Sequence, residues 1–170
     1  MSGTDPRPET EVVEEATSFL RRLAAAGSEA TVLSLVLADP SNRQFVTPNV
    51  AEPEPSLDDD GTGPTGEQVR PGWTAGVADE LSVRLAPLIR STDLLRQVQT
   101  GEFLLIVPTG GDLAGPALAE RVRGVAALPF TTGSGTFSLV LHVGVASFSP
   151  DLEDPSIAID AARADARGGR

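Results

Sequence analysis

The sequence contains no lysine, no cysteine and no tyrosine among its 170 residues, and each absence excludes a kind of chemistry. Without cysteine the chain has no disulfide framework, no thiolate metal site and no cysteine nucleophile. Because lysine is missing, all 13 basic residues are arginines, and catalysis through a lysine amine is excluded as well. Long apolar runs are also missing, since none approaches the roughly 20 residues that cross a bilayer.

Positive charge is scarce overall. The chain carries 24 acidic residues against 13 basic ones, a formal net charge of −11, which argues against a nucleic-acid polymer as partner. No basic segment followed by an apolar stretch opens the sequence, so we expect a cytoplasmic protein with no membrane partner. The length fits one domain, and the proportion of apolar residues, 40%, is that of a folded chain.

The acidic excess lies outside the middle of the chain. Residues 73 to 149 hold nearly as many arginines as acids, whereas the first thirty residues, residues 48 to 72 and residues 151 to 165 are acidic. The segment from 48 to 72 is rich in proline, glycine and acids and has almost nothing apolar to bury, so its ordering entropy would go uncompensated. We therefore expect a single domain over residues 1–170, with a flexible insertion at 48–72.

Hydrophobic periodicity predicts alternating helices and strands on either side of that insertion. Helices are expected at 10–26 and 75–90, and a third is expected with Pro116 in its first turn. A last helix is expected after Asp154, where aspartate at the N-cap and Pro155 at the first helical position are typical of a helix start. Strands are expected at 31–38, 94–98, 103–107 and 137–145. One direct hairpin among strands otherwise separated by helices indicates an α/β sandwich of the ferredoxin-like type, with helices packed on a mostly antiparallel sheet.

The hairpin carries a resemblance to a known family. Residues 93–108, DLLRQVQTGEFLLIVP, resemble the signature hairpin of GGDEF domains, the diguanylate cyclases that condense two GTP molecules into cyclic di-GMP. Residues 119–123 (AERVR), 142–146 (HVGVA) and 164–170 (ADARGGR) are similar to segments that follow it in that family. The resemblance implies the nucleotidyl-cyclase form of the ferredoxin-like fold.

The signature itself departs from the family pattern. Gln99, Thr100 and Gly101 stand where the family has two glycines, which let the backbone approach phosphates, and a carboxylate that holds Mg²⁺. Only Glu102 and Phe103 match, and Phe103 suits the hydrophobic core.

The other groups of the family's catalytic site are reduced as well. Asp39 matches the family's other metal ligand but is followed by a different sequence, and the lysines that grip phosphate are absent. Phosphoryl transfer depends on positioned metal ions and cations. We therefore expect a degenerate domain with no catalytic residues, no metal, no cofactor and no cyclase activity.

One ligand motif of the family matches. Arg90 and Asp93 form the RxxD pattern of the family's inhibitory site, five residues before the signature. A guanidinium fork and a carboxylate can together bind the edges of a guanine base, with further cations among Arg84, Arg96, Arg121 and Arg123. The alternative interpretation is local: Arg90 complements the helix end and pairs with Asp93, with no ligand.

Two functions therefore remain open at the level of sequence. One is an inactive GGDEF-like signalling domain that acts as a cyclic di-GMP receptor through Arg90 and Asp93. The other is a protein interaction module without a nucleotide ligand, which meets a protein partner or a second copy of itself through its surface and the acidic insertion.

Overall fold

The computed structural model describes residues 8–38, 71–99, 101–108, 114–132 and 135–168. The expected alternation of helices and strands is confirmed, with one additional hairpin. In chain order the elements are α1 (Glu9–Ala25), β1 (Ala30–Ala38), α2 (Pro71–Leu85), a 3₁₀ turn (Ala86–Leu88), β2 (Leu94–Gln99), β3 (Glu102–Pro108), α3 (Ala114–Ala126), β4 (Phe130–Thr132), β5 (Gly135–Phe137), β6 (Val140–Phe148) and α4 (Ser156–Gly168).

The main sheet has four strands in the order β2-β3-β1-β6, and every neighbouring pair is antiparallel. Strand β1 lies in the middle and is buried along its whole length, because β3 and β6 flank it and helices cover both faces. This is the expected α/β sandwich, and the order is that of a ferredoxin-like fold. Strands β4 and β5 form a separate two-stranded hairpin.

The two faces of β1 belong to two different hydrophobic cores, since successive side chains of a strand point to opposite sides. Leu33, Leu35 and Leu37 pack with residues of α2 and α3 on one side. Ala30 and Val32 pack with residues of α1 and α4 on the other. The sheet thus separates α2 and α3 from α1 and α4.

Helix α4 packs unusually close to the sheet at Gly144 of β6. A Cβ added to this glycine would lie 2.0 Å from the carbonyl oxygen of Ala162 and 2.2 Å from the amide nitrogen of Ala166. Only a residue without a side chain fits there. Small alanines on the buried face of α4 permit the approach, which places the polar residues of that helix next to the hairpin tip.

Local hydrogen bonds close the start of α4 and the end of α1. Asp154 Oδ1 accepts a hydrogen bond of 2.9 Å from the amide of Ser156, which confirms Asp154 as the N-cap of α4. Gly27 follows the end of α1, and its φ of 65° is left-handed. The amide of Gly27 donates to Ala24 and that of Ser28 to Leu23, which satisfies two terminal carbonyls.

Several predicted boundaries are corrected. The second helix covers 71–85, not 75–90, because Pro87 has no amide hydrogen to donate to a further α-helical turn and the chain continues as the 3₁₀ turn. The last strand covers 140–148, not 137–145, because Phe137 pairs with Phe130 in the small hairpin. Residues 71 and 72 of the expected insertion belong to α2, and residues 48–70 lie outside the described part of the chain.

Candidate functional site on the hairpin and the turn before it

The tip of the β2–β3 hairpin is fixed to the centre of the sheet. Gly101 has a φ of 79°, a left-handed conformation that favours glycine, and it is buried. Its carbonyl accepts a hydrogen bond of 2.8 Å from the amide of Leu37 near the end of β1. The residue at the position of the family's metal ligand is therefore a structural turn residue with no side chain. Thr100 lies outside the described residues.

Glu102 follows in the turn, and its carboxylate is almost completely buried, with 3% of the side chain exposed. Oε1 accepts a hydrogen bond of 2.7 Å from Arg163 Nε. Oε2 accepts from Gln99 Nε2 at 2.6 Å, from Arg167 at 3.2 Å and more weakly from Arg163 at 3.4 Å. The carboxylate of Glu102 on β3 thus accepts hydrogen bonds from Gln99 on β2 and from Arg163 and Arg167, which lie one turn apart on α4.

The charge of Glu102 is stabilised in this position. Burial by itself would raise the pKa of the carboxyl, but the hydrogen bonds and positive charges of Arg163, the amide of Gln99 and the charge of Arg167 lower it below its usual range. The complementary effect acts on Arg163, where burial opposes the charge but Glu102 and Glu9 raise the guanidinium pKa. The group is therefore an ion network charged at neutral pH.

Arg163 also joins the network to the first helix. Its second terminal nitrogen contacts Glu9 Oε1 in the first turn of α1 at 2.6 Å. One guanidinium, with 14% of its side chain exposed, therefore connects α1, β3 and α4. Arg163 is not among the residues that the sequence singles out. Its signal in the sequence is an arginine next to a buried alanine, Ala162, of an amphipathic helix, four residues before Arg167.

Phe103 packs as expected. It is 1% exposed and belongs to the core between the sheet and α2 and α3. Of the five signature positions, three have described side-chain roles, and all three are structural: Gln99 and Glu102 in the ion network and Phe103 in the core.

The RxxD residues form a tight turn between the 3₁₀ segment and β2. The amide of Arg90 donates to Asp93 Oδ2 at 2.8 Å, and the amide of Asp93 donates to the carbonyl of Arg90 at 3.0 Å. Thr92 donates its hydroxyl to Asp93 Oδ1 at 3.2 Å. The carboxylate of Asp93 is thereby held in one orientation by the turn itself.

The Arg90 side chain is exposed. Within the described part of the chain its guanidinium makes neither a hydrogen bond nor an ion pair, so the pairing with Asp93 expected by the local interpretation is absent there. An exposed arginine without a described partner thus lies three residues before a carboxylate held by its own turn.

The additional arginines differ in their availability. Arg84 donates to Glu80 and to the carbonyls of Leu128 and Pro129, and its guanidinium lies 4.3 Å from the ring centroid of Phe130. Arg96 pairs with Glu15 at 2.6 Å, and Arg123 pairs with Glu120. Arg121 is exposed and makes no hydrogen bond or ion pair with another described residue. Of the four, Arg121 is the one without such a partner among the described residues.

Solved structures provide the comparison. The active GGEEF domain of a diguanylate cyclase from Vibrio cholerae is 15% identical, with a TM-score of 0.63 over 98% of this chain and 94% of that one. The GGDEF domain of DgcB from Caulobacter crescentus, solved in complex with c-di-GMP, is 12% identical, with a TM-score of 0.61 over 100% and 91%. The chain has the GGDEF-domain fold.

A third structure of this fold contains a protein partner. The diguanylate cyclase SiaD from Pseudomonas aeruginosa, in complex with its activator SiaC, is 18% identical, with a TM-score of 0.60 over 96% of this chain and 56% of that one. No protein-family model matches the sequence, and no curated protein is significantly similar to it. The helices that the structure describes include none long and apolar enough to cross a bilayer.

The GGDEF fold implies a magnesium site, and the described residues do not fit one. Both oxygens of Glu102 already accept hydrogen bonds, three of them from guanidinium groups, and a metal ion would have to displace these cations. Gly101 supplies no ligand, and Asp39 lies outside the described residues. In the described ranges, no group of three or more acidic or histidine side chains can hold a metal ion.

Proposed function

We propose that this chain is a GGDEF-fold signalling domain without diguanylate cyclase activity that binds cyclic di-GMP at the Arg90–Asp93 turn. The observation that carries the proposal is a difference between two sites at opposite ends of β2. In the signature hairpin the carboxylate of Glu102 is bound by arginines, whereas the turn before β2 has an arginine without a partner among the described residues and an oriented carboxylate.

The loss of catalysis follows from the chemistry of phosphoryl transfer. Metal ions must bridge and neutralise the phosphates, and preorganised groups must stabilise charge as it develops. Gly101 at the metal-ligand position and Glu102 in an ion network supply neither. Incubation of the purified protein with GTP and Mg²⁺ is expected to yield no cyclic di-GMP by chromatography, and product above a protein-free control would overturn this part.

The binding part rests on groups that match a guanine base. A guanidinium can donate two parallel hydrogen bonds to the O6 and N7 acceptors, and a carboxylate can accept from the N1 and N2 donors. Arg90 is exposed, and Asp93 is held by two hydrogen bonds from its own turn, so little orientation has to be gained on binding. The complex of DgcB with c-di-GMP shows that a domain of this fold holds the dinucleotide.

Calorimetric titration with cyclic di-GMP tests the binding. Wild type is expected to bind, and Arg90→Ala is expected to lose about tenfold or more in affinity, since charged hydrogen bonds contribute about 1.5–3 kcal/mol. Arg22→Ala is the matched control, because Arg22 is an exposed arginine of α1 whose guanidinium lies 5.5 Å from the ring centroid of Phe19 and makes no hydrogen bond or ion pair with a described residue. No heat at tens of micromolar ligand, or equal binding by Arg90→Ala, would contradict the proposal.

A protein interaction module is the second candidate. SiaD, which shares the fold, is held in a complex with the protein SiaC. The chain also exposes two large apolar side chains near the α2 and α3 ends, Val83 at 70% and Leu128 at 65%. This function predicts a partner that co-purifies with Arg90→Ala but is lost when residues 48–70 are deleted. Retention of the partner by the deletion variant would contradict it.

A further inference from the structure

We propose that Glu102 is an internal anion that fills a two-arginine site on α4, closes that site to external anions and ties α1 to the hairpin. The proposal concerns a different site from the Arg90–Asp93 turn and holds whether or not that turn binds a ligand. It assigns a role to the one charged residue that the degenerate signature keeps.

The geometry is that of an occupied anion site. Arg163 and Arg167 lie four residues apart on one face of α4, and both donate to the same carboxylate, at 2.7 Å and 3.2 Å for their shortest contacts. Gln99 adds a neutral donor at 2.6 Å. Guanidinium forks and an amide around two oxygens form a donor set suited to a carboxylate or a phosphate. Here the anion is supplied by the chain itself.

Because Arg163 is largely buried, its charge needs the carboxylate of Glu102 as a partner. The Arg163 side chain is 14% exposed, so the guanidinium has little water to solvate it. A buried charge that loses its partner is strongly unfavourable. Glu9 reaches only Arg163, and it is 46% exposed, so it cannot replace Glu102 for both arginines. Removal of the Glu102 carboxylate therefore leaves two positive charges around an empty volume.

That volume has the shape of a small carboxylate. The variant Glu102→Ala removes the carboxylate group and the Cγ methylene that carries it, while the donors remain on α4 and Gln99. Formate is the matching probe, because it presents two oxygens on one carbon and has no further bulk. In Glu102→Gln an amide fills the same space, so this variant leaves no room for formate. Its NH2 group faces the donors of Arg163, Arg167 and Gln99 and cannot accept from them.

The test is the melting temperature in sodium formate against sodium chloride at equal ionic strength. Glu102→Ala is expected to melt below wild type in chloride and to gain about 3 °C with a saturable dependence on formate. Wild type and Glu102→Gln are expected to respond equally to the two salts. Glu120→Ala is the matched control, because it removes the carboxylate of an exposed pair, with Glu120 at 74% exposure, and creates no enclosed site.

Two outcomes would overturn the proposal: no formate-specific gain in Glu102→Ala, or an equal gain in wild type. If Glu102→Ala does not fold in chloride, refolding in formate replaces melting as the measurement. Recovery of the native circular dichroism in formate alone then supports the proposal, and failure in both salts contradicts it.

Amide exchange of the first helix tests the tie to α1 separately. Glu102→Gln withdraws the charge that orients Arg163, so faster exchange is expected in the first turn of α1. Unchanged exchange there would refute the connection through Arg163.

Discussion

Gly144 is the position where the packing of α4 can be tested most sharply. In Gly144→Ala the new Cβ would lie 2.0 Å from the Ala162 carbonyl oxygen and 2.2 Å from the Ala166 amide nitrogen. Contacts of this kind are not formed below 3.0 Å, and both neighbours are helix backbone, so α4 as a whole must move away by about 1 Å. No side-chain rotation can relieve the overlap.

The expected loss of stability depends on the contacts between α4 and the sheet that this movement separates. Four buried residues of α4 pack on the sheet: Ala158, Ile159, Ala162 and Ala166. Overpacking with backbone displacement typically costs about 1–3 kcal/mol, and the loss of contact along a whole helix places this variant at the upper end or beyond, at about 3–4 kcal/mol. Domains of this size have about 5–15 kcal/mol of stability in total.

Urea unfolding followed by circular dichroism measures the effect as the change in unfolding free energy. Gly124→Ala is the matched control, because Gly124 lies inside α3 with nothing within 4 Å of a new Cβ. It is expected to stabilise the chain by about 0.5–1 kcal/mol through helix propensity. A change below about 1 kcal/mol for Gly144→Ala would refute the close approach of α4 to β6.

Two further outcomes follow from buried polar groups. The Ser34 hydroxyl on β1 is buried and has no hydrogen-bond partner among the described residues, so Ser34→Ala is expected to raise the unfolding free energy by up to about 1 kcal/mol. A loss of stability in urea unfolding would show that the hydroxyl is satisfied. The pKa of Glu102 is lowered in the folded state, so its contribution is complete above the unfolded pKa of about 4.3 and is lost as the pH falls through the folded value. The difference in melting temperature between wild type and Glu102→Gln should therefore be largest near neutral pH and shrink below pH 4, whereas a difference independent of pH would contradict the ion network.

The sequence predicts the fold because local patterns and tertiary packing agree. The continuous apolar run of β1 needs burial on both faces, and the central position in the sheet supplies it. The paired strands around Gly101 and the cap at Asp154 depend on turn chemistry that is local to the chain. For such elements the neighbouring residues suffice.

The errors arise where local signals are short or where distant elements meet. Strands β4 and β5 have three residues each, which is too few to show an alternation of apolar and polar residues. The sequence pattern therefore places Phe137 in the longer strand that follows. The partners of Glu102 come from α4, about sixty residues later, and only the packing of that helix at Gly144 brings them together. Side-chain partners of this kind are not encoded in spacing.

The most direct test of the central claim is the location of bound cyclic di-GMP by amide chemical-shift changes in the ¹⁵N-labelled protein. We expect the largest chemical-shift changes at residues 89–94, around the Arg90–Asp93 turn. Small changes are expected at Gln99, Glu102 and Arg163, because the Glu102 carboxylate already occupies the site between these residues. Absence of any shift, or largest changes at the hairpin tip and α4, would contradict it.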